Sequence, residues 1–363
     1  MTLPEPFVTT VAFIVALGVL VFVHELGHFL TAKRIGVKVL RFSIGFGPVL
    51  WRRQSGESEY ALSAIPLGGS VKMLGEESDG DGPVDESERH RAFSAQRPLR
   101  RAAIVIAGPV TNFVFAFVVY IFVFGTIGVP VPSSEPRLGG VSATTPADRA
   151  GLRSGDRVVS INGTGIDTWE TLSKTVRASG GKALHVVVER GGATVELDVT
   201  PEEHDLPGLD GRAAERAFLI GVEPSRDWET VGPLRAVRLA AEQTAGTAFA
   251  VLQGLGQMVT GHVSVKELGG PIAIAQAAGR QARNGLSSYL MMLALLSINL
   301  GVLNLMPVPA LDGGQLALIS VEGILGRPLK PRALELAQQV GVLLLVSLMV
   351  FVFYNDIHRL VQG

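Results

Sequence analysis

Residues 6–23, 102–134, 284–311 and 336–355 contain no Asp, Glu, Lys or Arg. Each run is near or above the roughly 20 residues that a helix needs to cross a bilayer. This constrains the fold strongly, because a segment in lipid must satisfy its backbone polar groups internally. The chain is 47% hydrophobic and 18% charged, whereas soluble domains carry about a quarter charged residues. The pattern predicts a polytopic α-helical membrane protein with about four spans, near 7–31, 102–127, 287–306 and 336–355. The first span reads as retained rather than as a signal peptide. No Lys or Arg precedes it, and no small-residue cleavage site follows its core.

The net charge of −1 gives no reason to expect a nucleic-acid partner. The absence of cysteine excludes disulfides and thiolate metal sites. Basic residues orient the spans. Lys33, Arg34, Lys38 and Arg41 follow the first span, and Arg97, Arg100 and Arg101 precede the second. Arg327, Lys330 and Arg332 separate the last two, while the N-terminal tail has no basic residue. Both termini and the 128–286 segment are therefore expected outside, and the other two loops in the cytoplasm.

Residues 38–73 alternate apolar and polar side chains, with Gly, Pro and Ser at the breaks. This is hairpin chemistry, with the turn near Gln54 to Ser58. The acidic, Gly-rich run that follows, 75–89, reads as a mobile cytoplasmic loop. Within 137–202, "GLRSGDRVVSING", a helical "TWETLSKTVRAS" and two strands joined by Gly191-Gly192 form a pattern that resembles a bacterial PDZ domain. Such domains add a peptide strand to a sheet edge; the alternative is a spacer or steric plug. Residues 231–286 are too polar for a span and read as an amphipathic, interfacial linker. The expected divisions are 1–128, 129–230, 231–286 and 287–363.

Inside the first span stands His24-Glu25-Leu26-Gly27-His28. Residues four apart share a helix face, so both imidazoles can address one metal ion. Glu25, beside them, is placed for acid–base work rather than ligation. A chance match is the plain alternative, but ionisable groups within a membrane are rare and functional by default. His24 lies about 13 Å along the helix from Lys33, in the cytoplasmic half of the span. Catalytic zinc takes three protein ligands and leaves a position for water. The other histidines, His90, His185, His204, His262 and His358, lie outside the spans. Asp312 is the better third candidate, at the end of "NLGVLNLMPVPALDGG". Pro307 and Pro309 break the helix there, and Gly313 and Gly314 are expected to let the backbone turn beside Asp312. A polar helix end at the interface is the competing account of Asp312.

"HELGH", "AGPVTN" at 107–112 and "NLMPVPALDGG" at 304–314 resemble the membrane signatures of the site-2 protease family, intramembrane zinc metalloproteases. "SIGFGP" and "IPLGGSVKMLGE" resemble its bacterial regulator-of-sigma-E protease branch, whose best-known form has two PDZ domains where this chain shows one. The resemblance implies zinc held by His24, His28 and Asp312, with Glu25 as the catalytic acid–base. It implies that the hairpin is cytoplasmic and re-enters the membrane, and that Gly45, Phe46, Gly47, Asn299 and Asn304 contact substrate. Gly108, Pro109 and Asn112 are read as structural, with Asn112 supporting helix packing. The implied substrates are single-span membrane proteins already trimmed on the outer side, including anti-sigma factors and remnant signal peptides. The implied place is the bacterial inner membrane, multi-pass, with termini and PDZ domain extracytoplasmic. The rival function is a membrane-anchored PDZ receptor with a relic metal site.

Overall fold

The computed structural model describes residues 4–76, 85–206, 215–261, 269–327 and 329–362. The centre of the acidic loop and His262 lie outside the described residues. The chain forms two compact units. One is Met1–Thr126 together with Gly232–Gly363, and the other is Ile127–Val231.

The first unit begins with α1 (Glu5–Ile35). Proline opens the helix, where a missing N–H costs nothing. Lys33 and Arg34 in its last turn complement the helix dipole, and Gly36, in the left-handed region, closes it on Ala32 and Lys33. Strands β1 (Val39–Ser55) and β2 (Ser58–Met73) follow, with the turn at Gly56 and Glu57, inside the expected window. Both strands bend back on the pair. Residues 41–44 pair with 69–72 on one side and 59–62 on the other, and 59–62 pair again with 51–54. Phe29, Phe42 and Ile104 are buried beneath this sheet. Next comes α2 (Pro98–Thr126), which contains Pro109.

The second unit is β-rich. Its elements are β3 (Val129–Pro132), β4 (Leu138–Val141), α3 (Pro146–Arg149), β5 (Arg157–Ile161), β6 (Thr164–Gly165) and α4 (Trp169–Arg177). They continue with β7 (Leu184–Arg190), β8 (Ala193–Val199), β9 (Glu202–Leu206), β10 (Glu215–Leu219), β11 (Val222–Pro224) and β12 (Arg226–Glu229). A four-stranded sheet has the order β6-β5-β7-β8. Gly191 and Gly192 turn β7 into β8, both with positive φ, as a tight two-residue hairpin requires. Thr168 caps α4 by accepting the Thr171 N–H. Leu138, Val158, Ile161, Leu172, Val186, Val188 and Val199 form the core. The pairings β4–β11 and β3–β12 carry the unit beyond the 137–202 run that the sequence pattern outlines.

The first unit resumes with α5 (Pro233–Val259), α6 (Pro271–Arg283), α7 (Leu286–Asn304), α8 (Asp312–Leu325) and α9 (Pro331–Gln362). Among the described residues, four helices are long and apolar enough to span a bilayer: Glu5–Ile35, Pro98–Thr126, Leu286–Asn304 and the Arg332–Arg359 part of α9. They coincide with the four charge-free runs. The 231–286 segment contains a 27-residue helix, α5, that packs on α2 and α7. Ala236 and Ala240 are the buried small residues that permit this approach, and Tyr120 of α2 meets Gln243 and Thr247. Helix α8 occupies part of 307–335, where the spacing of the last two charge-free spans predicts only a loop.

Candidate metal centre and active site

His24, Gly27 and His28 belong to the buried side of α1. Their spacing gives one face on a 3.6-residue helix. The close approach of α2 follows from side-chain size. A Cβ at Gly27 would collide with Thr111 Oγ1 and the Ala107 carbonyl. A Cβ at Gly108 would lie 2.8 Å from His24 Cε1 and would overlap His28 Nε2. Gly108 therefore provides the space that the two imidazoles occupy. The rings meet edge to face, with centroids 4.8 Å apart.

Asp312 opens α8 and completes the cluster. Its Oδ2 lies 3.1 Å from His24 Nε2 and 3.5 Å from His28 Nε2. The two Nε2 atoms are 3.2 Å apart. Helix α7 stops at Asn304, and the chain passes Pro307 and Pro309 before α8 begins. The expected role of Gly313 and Gly314 needs correction. Both sit in the first turn of α8, and neither has positive φ; Ala310 does, at 79°. The glycines are needed for space. A Cβ at Gly313 would lie 2.5 Å from the Leu305 carbonyl, and one at Gly314 2.7 Å from Pro309 Cα.

Further contacts orient the histidines. His28 Nδ1 is 2.9 Å from the Ile104 carbonyl oxygen and donates to it, leaving Nε2 as the free lone pair. His24 Nδ1 lies 3.1 Å from the side-chain amide of Asn112. Asn304 reaches within 3.3 Å of His24 Nε2. Asn299 is half-buried on the same helix. Five residues turn a helix by about 140° past a full revolution, so Asn299 faces a different direction from Asn304. Glu25 follows His24 and lies against β2, where a Cβ at Gly69 would come 2.8 Å from Glu25 Cγ. Gly45, Phe46 and Gly47 lie in β1. Phe46 is 52% exposed, pairs with Ile65, and places its ring over Gly68.

The sequence reading missed Gly69 and the contacts of Gly108 and Asn112. The only signal was small or polar residues inside otherwise apolar runs. Among the described residues, His24, His28 and Asp312 form the one group of three or more side chains placed to share a metal ion. His90, His185, His204 and His358 take no part in it.

The model for "Peptidase family M50" matches residues 12–348. The chain belongs to peptidase family M50. Among curated proteins, this M50 chain is 34% identical to regulator of sigma-E protease RseP of Salmonella typhimurium, over 96% of this chain and 98% of that one. The Escherichia coli K12 protein of the same name shows the same identity and coverage. An Agrobacterium fabrum protein that carries a zinc metalloprotease name is 36% identical, over 97% of this chain and 96% of that one. The Salmonella alignment runs over 447 positions against a chain of 363, so that relative contains insertions that this protease lacks.

The protein is a membrane-associated zinc protease. Its residues fit the ion. Tetrahedral zinc with ligand atoms about 2.0–2.2 Å away has donor–donor edges of about 3.3–3.6 Å. The observed edges are 3.1, 3.2 and 3.5 Å. Asp312 Oδ2 is buried and makes no hydrogen bond of proper geometry, as suits an oxygen reserved for a cation.

Proposed function

We propose that this protease hydrolyses peptide bonds inside the membrane segments of single-span proteins, with His24, His28 and Asp312 as zinc ligands and Glu25 as acid–base. The convergence of two imidazoles and one carboxylate from α1 and α8 on one point carries this reading. That point lies on a helix apolar enough to cross a bilayer. When bound, zinc supplies Lewis acidity, which makes a water ligand more acidic and polarises a carbonyl.

The chain's own residues do the rest. Glu25 takes the proton of the attacking water and returns it to the departing amide nitrogen. Asn304 offers an amide to the substrate carbonyl beside His24. The substrate must leave the helical state, and an added strand would restore the backbone hydrogen bonds that lipid cannot supply. The 69–73 stretch of β2 has no strand on its outer side among the described residues, and Gly69 brings it against Glu25. This makes it the receiving edge, with Gly45, Phe46 and Gly47 shaping the neighbouring strand. Phe46, Val49, Leu50 and Trp51 are at least 48% exposed, which suits a hairpin dipping into the membrane from the cytoplasmic side.

Four spans with both termini outside, in a bacterial inner membrane, agree with the basic residues at the span ends. The Ile127–Val231 unit then lies outside, and its helix-and-sheet composition supports a PDZ-type module that selects substrates already trimmed there. Anti-sigma factors are the substrate class by analogy with the relatives named regulators of sigma-E, and remnant signal peptides are the class that the site-2 protease resemblance adds. The test is cleavage in cells of a tagged single-span substrate with its outer domain removed. Wild type is expected to release a smaller cytoplasmic fragment and Glu25→Gln none. Equal cleavage by Glu25→Gln would overturn the role of Glu25.

A further inference from the structure

The His28 ring has an identified acceptor behind it, the Ile104 carbonyl. A neutral histidine that binds metal through Nε2 must carry its proton on Nδ1, and an acceptor there fixes both tautomer and ring orientation. His24 turns Nε2 toward Asp312 and His28, so it has the same requirement. The nearest group to its Nδ1 is the Asn112 amide nitrogen, 3.1 Å away, with the Asn304 amide nitrogen farther off at 3.5 Å. That arrangement suits a ring protonated at Nε2, which has no lone pair to offer the cluster. Asn112 is fully buried, and its Oδ1 has no hydrogen-bond partner. The Asn112 backbone carbonyl accepts from Ser297 Oγ at 2.9 Å, which anchors this turn of α2 to α7.

The two ends of an amide are nearly equal in size, so half a turn about χ2 exchanges them with little change in packing. We infer that Asn112 is the positioning residue for His24: in the zinc-loaded protease its Oδ1 accepts the His24 Nδ1 proton and holds Nε2 free for the metal. The inference rests on the zinc-site reading above. It gives Asn112 a specific function where the sequence suggested helix packing, and it makes metal loading and the amide turn one coupled event. Asn112→Leu nearly preserves volume but removes the acceptor, whereas Asn112→Asp preserves an acceptor.

The experiment is zinc affinity of the purified full chain in detergent, measured by competition with a fluorescent chelator. Asn112→Leu is expected to bind zinc about 10–100-fold more weakly than wild type, and Asn112→Asp is expected to retain near-wild-type affinity. A packing role predicts the opposite order, because Leu fills the space and Asp buries a charge. Asn112→Leu with wild-type affinity would overturn the inference while leaving the zinc site intact. A wild-type protein that binds no zinc would overturn the site reading itself. If the Leu variant fails to fold, nitrogen-15 histidine spectra of zinc-loaded wild type decide. A hydrogen-bonded His24 Nδ1 proton supports the inference, and an unprotonated Nδ1 overturns it.

Discussion

In the Ile127–Val231 unit, large aliphatic side chains point inward. Leu138, Val158, Ile161, Leu172 and Val188 are all at most 2% exposed, and one carboxylate, Asp156, is buried beside them. Helix α1 of the other unit differs. Its buried residues are Ala12, Ala16, Leu20, His24, Gly27, His28, Phe29 and Ala32, mostly small or polar, while Phe7, Val11, Ile14, Val15 and Phe22 are more than 40% exposed. Transfer from water rewards burying Ile161. It gives no such reward between helices in lipid, where small residues and polar contacts set the approach instead. A core truncation should therefore harm the first region, and an added methyl group the second.

The largest stability loss is expected from Ile161→Ala, which leaves a cavity and costs about 2–5 kcal/mol. Denaturant unfolding of the full chain in detergent, followed by near-ultraviolet circular dichroism, measures it. Zinc content should not change. A simultaneous loss of zinc would break the separation between the two regions. Gly108→Ala is next, at about 1–3 kcal/mol of overpacking. Its effect should fall on the metal, with zinc affinity reduced tenfold or more, because the new methyl group enters the imidazole space. Unchanged zinc affinity would show that α2 can move away from α1.

The smallest effect concerns acid. Burial pushes the Asp156 carboxyl upward, but hydrogen bonds from Arg190 and the Arg153 N–H outweigh this and hold it below its ordinary range. The folded value is depressed, so this stability is complete above the unfolded value, about 3.9. It is lost as pH falls through the lower folded value. Asp156→Asn should flatten the acid limb of unfolding below about pH 4 and leave the zinc affinity at neutral pH unchanged. An acid limb identical to wild type would remove Asp156 as its source.

Much of this was legible in local pattern. Charge-free runs marked α1, α2, α7 and α9, since lipid leaves no cheap alternative for a charge. The spacing of His24 and His28 marked one helix face, and alternation with Gly56 located the β1–β2 turn. Helix α8 was not legible, because Gly313 and Gly314 read as breakers although they serve as contact points. Asn299 and Asn304 looked equivalent in a charge-free run, and only the continuous turn of α7 separated them.

The sequence by itself determined which segments can lie in lipid and which side chains have metal-binding chemistry, since both follow from residue type and spacing within one helix. Tertiary structure decided that Asp312, 284 residues beyond His28 in the chain, meets both imidazoles, and that Gly69, Gly108 and Asn112 stand around them. Those neighbours depend on how closely two elements approach. That distance is set jointly by side-chain volumes on both, and no single stretch of chain contains it.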